Sequence, residues 1–134
     1  MAGVHFPFNS LDNVLQLSIG IAERLDENRV ESFSYMYCDF SAVESDLIES
    51  SLEQVLRHSD SLVNQNKRYY FILPYTDKYG AVVVKNMFEE FFDKVLPFAV
   101  VAYPIDGETP FELSEALQAK AKKETNTDLD ELDF

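Results

Sequence analysis

The sequence predicts an α+β fold, a mixed central β-sheet flanked by helices, on three observations. Stretches with a helical apolar period alternate along the chain with stretches of period two or short, dense apolar runs. Two of those runs, Arg68–Leu73 (RYYFIL) and Phe98–Tyr103 (FAVVAY), are rich in aromatic and β-branched residues, and each is closed by a proline, as central strands are. With 134 residues, 46% of them hydrophobic and only 4 glycines, the chain can build one real core but has no length for a second domain.

The elements follow in order. Leu11, Val14, Leu15, Ile21, Ala22 and Leu25 recur at helical spacing, with Asn9 or Ser10 as N-cap and Gly20 as a weak point. From Glu31 the period becomes two: Phe33, Tyr35 and Tyr37 alternate with Ser32, Ser34 and Met36 in a strand that ends at Asp39. Leu47, Ile48, Ser51, Leu52, Val55 and Leu56 then mark one face of a second helix. The polar stretch His58–Lys67, turn-like around Ser-Leu-Val, leads into the Arg68 strand, and the two middle strands read as a hairpin. Ala81, Val84, Phe88, Phe91 and Val95 mark a third helix capped by Thr76 or Asp77. After the Phe98 strand comes a Pro104–Gly107 turn. In the last helix Thr109 is the cap, Pro110 the first helical residue and Glu112 the third position of a capping box. The expected core is Phe33, Tyr35, Tyr37, Tyr70, Ile72, Ala99, Val100 and Val101, covered by Leu15, Leu52, Leu56, Val84, Phe88 and Leu117.

Charge narrows the function. Eleven basic against 24 acidic residues leave a net −13, a surface that repels phosphate backbones and anionic headgroups, so neither a nucleic-acid partner nor membrane insertion is expected. The start MAGVHFPFNS lacks a basic, then apolar, leader pattern, which points to the cytoplasm. Cys38, the sole cysteine, excludes an internal disulfide. Pairing Cys38 with His5 or His58 as a nucleophile and its base has no support beyond residue type, and a buried strand cysteine is the commoner case. Asp39, Glu44, Asp46 and Glu49 could gather a hard cation, yet a solvated helix face explains the last three equally well. The four glycines are isolated, so no glycine-rich loop cradles a phosphate.

The most specific signal lies in the C-terminal half. The string FILPYTDK (71–78), the helix from Ala81, and FAVVAYPIDGETPFELSEALQAKAKK (98–123) resemble the second half of a GGDEF domain, the diguanylate cyclase-like family. In that family a strand ends in Leu-Pro-x-Thr-Asp, a later strand runs into Tyr-Pro-x-Asp-Gly, and a short helix ending in Ala-Lys closes the domain. The resemblance covers residues 9–123 and implies a GGDEF or nucleotidyl-cyclase-like fold with a shortened N-terminal half, in which Asp39 takes the place of the metal-holding aspartate. The signature positions become Gln65, Asn66, Lys67, Arg68 and Tyr69. Gln65 and Asn66 replace the paired glycines that let backbone approach the nucleotide, and Arg68 replaces the acid that completes the metal site. The guanine-reading segment between the first strand and the next helix is missing.

These departures imply no catalytic residues, no metal beyond a vestigial Asp39, and no cofactor: a catalytically inactive GGDEF-like module in bacterial signalling, acting as a regulatory or protein-interaction element with a protein partner of unknown identity. A second reading is a cyclic di-GMP sensor. Many GGDEF domains carry an Arg-x-x-Asp inhibitory site upstream of the signature, and Arg57-His58-Ser59-Asp60 fits that pattern, with four intervening residues (61–64) where the family has five. An Arg and an Asp around a helix C-terminus is the plainer account. Residues 124–134 hold five acids and no base, with Leu129, Leu132 and Phe134 between them, and are expected to form an acidic, disordered tail. Such a tail either stays solvated, docks into a basic apolar groove on a partner, or folds back onto Lys120, Lys122 and Lys123.

Overall fold

The computed structural model describes residues 3–25 and 30–133. In chain order the elements are β1 (Val4–His5), α1 (Leu11–Leu25), β2 (Glu31–Asp39), α2 (Ser45–Val55), β3 (Ser61–Gln65), β4 (Arg68–Pro74), α3 (Lys78–Phe92), β5 (Phe98–Pro104) and α4 (Pro110–Thr125), with single 3₁₀ turns at Phe8–Ser10 and Asp130–Leu132. The strands form one five-stranded sheet in the order β1-β3-β4-β2-β5. β2 is antiparallel to both neighbours, β3 and β4 form an antiparallel hairpin, and β1 runs parallel to β3, so the sheet is mixed as expected. β4 and β5 lie on either side of β2 and run the same way, which requires the crossover that α3 supplies.

Two cores sandwich the sheet. On one face α1 and α4 bring Leu11, Leu15, Ile19, Leu113 and Leu117 onto Phe33, Tyr35, Tyr37, Tyr70 and Val101. On the other, α2 and α3 bring Ile48, Leu52, Ala81, Phe88 and Phe92 onto Met36, Cys38, Phe71, Leu73 and Val100. Every expected core residue is buried except Val84, which is half-buried. Helices cover both sides of β2, so Ser34, Met36 and Cys38 are as buried as Phe33, Tyr35 and Tyr37.

Local chemistry sets the element ends. Asp77 caps α3 by accepting from the Gly80 N–H at 2.7 Å, and Asp93 at φ 55° ends it, so Val95 falls beyond the helix and is 90% exposed instead of lying on its apolar face. Thr109 caps α4 by accepting from the Glu112 N–H at 3.1 Å, while the Glu112 carboxylate reaches back to the Glu108 N–H. Gly107 packs under that turn, where a Cβ would stand 2.9 Å from the Leu113 nitrogen. The outer edge of β5 is occupied by side chains: Lys120 Nζ donates to the Val100 carbonyl at 2.8 Å and Asp106 accepts from the Ala102 N–H at 2.8 Å.

The C-terminal segment differs from the disordered tail the composition suggested. Helix α4 runs on to Thr125, Asn126 at φ 54° turns the chain, and the Asp130–Leu132 turn lies on the sheet with Leu129 and Leu132 each 2% exposed. Its acids suggested solvation, but they are spaced so that two leucines seal the α1/α4 core. The Lys122–Asp128 pair at 3.1 Å realises the fold-back onto α4 and is open to solvent. Phe134 lies outside the described residues.

Candidate functional site

Asp39 and Arg68 are direct partners across the β2/β4 ladder, at the end of the sheet where β2 stops and the β3–β4 hairpin turns. That hairpin carries Gln65 and Asn66 exposed and Lys67 and Arg68 half-buried, while Tyr69 is turned inward against Phe40. Asn66 takes φ 56°, a conformation asparagine tolerates, and its carbonyl accepts from the Asn64 side chain at 2.7 Å. Lys67 Nζ is spent on the Val43 carbonyl at 2.6 Å. The Asp39 carboxylate accepts from Ser41, whose N–H donates to Oδ1 at 2.8 Å and whose hydroxyl donates to the same oxygen. Residues 40–44 alone join β2 to α2, so the short link expected there is present.

Arg68 is held by the C-terminal segment. Its Nη1 donates to Glu131 Oε1 at 2.8 Å and to the Asp128 carbonyl at 3.0 Å, and Tyr70 donates its hydroxyl to Glu131 Oε2 at 2.6 Å. Burial works against the Arg68 cation, but Glu131 more than restores it, and its pKa lies above the ordinary arginine value. Burial first, then the bond to Glu131, pushes the Tyr70 phenol far up. Burial and then Asp39 push Tyr37, on the same face, up to about 12. Ser41, Gln65, Asn66, Lys67, Arg68 and Glu131 line an open polar cleft of about 420 Å³ here. Sequence reasoning missed Glu131, because acids in a short terminal run carry no periodic signal.

Among the described residues no group of three or more His, Cys, Asp or Glu comes together that could hold a metal ion. Asp39 ends β2, half-buried, while Glu44, Asp46 and Glu49 stand exposed at the start of α2. Cys38 is fully buried under α2 and α3, its thiol pushed far up by burial, while His5 bonds Asn64 at 2.7 Å and His58 is exposed. No thiol–imidazole pair forms among the described residues.

Arg57 and Asp60 lie at the other end of β4, six residues or about 20 Å from Arg68. They are brought together, but as a closed turn. Asp60, 2% exposed, accepts from the Arg57 N–H at 2.8 Å and from Arg57 Nη2 at 3.2 Å. The same Nη2 donates to the Pro74 carbonyl at 2.9 Å and to Thr76 Oγ1 at 3.0 Å. This pair ties the end of α2 to the end of β4.

The architecture is a mixed α+β sheet with two helices on each face and a β-hairpin at the end of its central strand. Among solved structures it is similar to the crystal structure of a sensory box/GGDEF family protein from Caulobacter crescentus CB15, at a TM-score of 0.67 and 16% identity over 90% of this chain and 93% of that one. The fold is GGDEF-like. Neither a protein-family model nor a curated protein matches the sequence. No helix among the described residues is long and apolar enough to cross a membrane.

Proposed function

We propose that the chain is a catalytically inactive GGDEF-like module of bacterial signalling, cytoplasmic, and acting by binding another protein. One observation carries this reading: Arg68 faces Asp39 across the ladder and is ion-paired to Glu131. Phosphoryl transfer to a nucleotide needs cations bridged between carboxylates and phosphates. Here the second carboxylate position is a guanidinium, and the carboxylate that answers it comes from the chain's own C-terminal segment. Incubation with GTP and Mg²⁺ is expected to yield no cyclic di-GMP, and turnover that disappears in Asp39→Ala would overturn the proposal. The sensor reading requires Asp60 to give up a buried carboxylate already bonded through both oxygens, so calorimetric titration with cyclic di-GMP is expected to show no heat. Heat that vanishes in Arg57→Ala would instead favour the sensor.

A further inference from the structure

Residues 126–133 sit on the sheet without joining it. Among the described residues their backbone-to-backbone hydrogen bonds stay within the segment or run to the C-terminal end of α4, and none reaches a strand. Three side chains hold the segment down. Leu129 and Leu132, three apart across a single 3₁₀ turn, enter the core that contains Tyr37 and Tyr70. Glu131 between them accepts from Arg68 and from the Tyr70 hydroxyl. The outer pairs, Lys122 with Asp128 and Gln118 with Asp133, lie in solvent. A segment with few buried contacts and no share in the ladder opens at a lower free energy than the sheet beneath it. The fit is also incomplete. Tyr37 is fully buried in this seat beside Arg68 and Thr127, and its hydroxyl has no hydrogen-bond partner among the described residues. The Thr127 hydroxyl donates to the Thr125 carbonyl instead. An unpaired buried donor costs stability, so the chain's own segment fills the seat without being its best occupant.

We propose that this seat binds a short segment of another protein, and that residues 126–133 are its intramolecular competitor. The incoming segment carries two apolar residues three apart, an Asp or Glu directly before the second, and a hydrogen-bond acceptor for Tyr37. The inference rests on the reading of the chain as a protein-binding module and names what the partner presents. Each requirement is read from the seat. The apolar pair replaces Leu129 and Leu132 in the core. The carboxylate is needed because Arg68 and Tyr70 both donate into one place, and a neutral side chain there would leave a half-buried guanidinium unanswered. The acceptor is what the chain's own segment fails to bring to Tyr37. A foreign segment that brings it makes a bond the tethered one lacks, which works against the advantage of the tether. With residues 126–133 lifted, Arg68 and the polar cleft at Ser41, Gln65 and Asn66 stand open, a cationic spot on a chain whose net −13 repels acids elsewhere.

The test is fluorescence anisotropy with a labelled peptide of residues 126–133 added to the full chain. Glu131→Lys sets a cation against Arg68 and lifts the chain's own segment without touching the core, and Leu129→Asp lifts it from the apolar side. Either variant, with an unchanged circular dichroism spectrum, should bind the peptide about tenfold more tightly than the unaltered chain, where the segment competes. If Leu129→Asp does not fold, Glu131→Lys carries the comparison. A peptide that itself carries Glu131→Lys should bind about tenfold more weakly than the parent peptide. One carrying Thr127→Asn, which offers an amide oxygen to Tyr37, should bind more tightly, and that gain should vanish when Tyr37→Phe is added to the chain. No binding to a folded variant, equal binding to variant and unaltered chain, or indifference to either peptide change overturns the proposal. A concentration-dependent dimer of the unaltered chain that the peptide breaks assigns the seat to a second copy and overturns it too. These failures leave the module reading intact, since that reading fixes no face; cyclic di-GMP made from GTP overturns the module reading and leaves the peptide result standing.

Discussion

Leu132→Ala tests whether the C-terminal segment is part of the fold. Leu132 is 2% exposed and packs into the α1/α4 core beside Leu129. Truncating a buried leucine to alanine costs about 2–5 kcal/mol, the spread reflecting how far the site relaxes. The low end applies here, because a terminal segment can undock, and the loss is capped at the net free energy that holds it against the entropy of ordering its backbone. At about 3 °C per kcal/mol for a chain of this length, about 2 kcal/mol lowers the thermal midpoint by roughly 6 °C. The assay is thermal unfolding followed by circular dichroism, with exposed Asp130→Ala as the control, expected within about 0.5 kcal/mol of the parent. A solvated tail predicts no change in either variant. A Leu132→Ala midpoint within about 1 °C of the parent would refute the packing described here.

Two further outcomes follow from buried groups. Tyr35, Tyr37, Tyr70 and Cys38 all have folded pKa values raised above their unfolded ones by burial, so the stability they contribute is fully present below the unfolded values and is lost as pH rises through them. Each removes about 1.4 kcal/mol per pH unit above its unfolded pKa. The urea midpoint should therefore hold to about pH 9 and fall steeply between about pH 10 and 11; a flat profile would contradict the burial of these phenols. Asp60→Ala removes the carboxylate that closes the Arg57–Asp60 turn and should cost about 1–2 kcal/mol in urea unfolding, whereas a ligand-only role predicts no loss.

Much of the fold was legible because it rests on repeating patterns. The helical rows in α1 to α4, the two proline-closed strands and the Thr109–Pro110–Glu112 start each leave a periodic or positional mark. What escaped lacks one. Strand β1 is two residues long and exists through its pairing with Ser61 and Leu62. The Ser61–Gln65 strand was legible only as an unbounded first arm of the middle hairpin, since in its polar stretch only Leu62 and Val63 mark it. Glu131 finds Arg68 across 63 residues, a distance at which no local pattern operates. The ladder partnership of Asp39 with Arg68 was foreshadowed by the signature alignment alone, since register is a tertiary quantity.

The side chains on the outer edge of β5 bear on how this protein can assemble. Lys120 and Asp106 already take the Val100 carbonyl and the Ala102 N–H that a sixth strand would need, and the opposite margin is a two-residue strand. The sheet is thereby closed to growth by strand addition, which protects a chain rich in aromatic, β-branched segments from templating its own aggregation. Variants at Lys120 or Asp106 are the ones expected to free this edge for pairing with a strand of another chain.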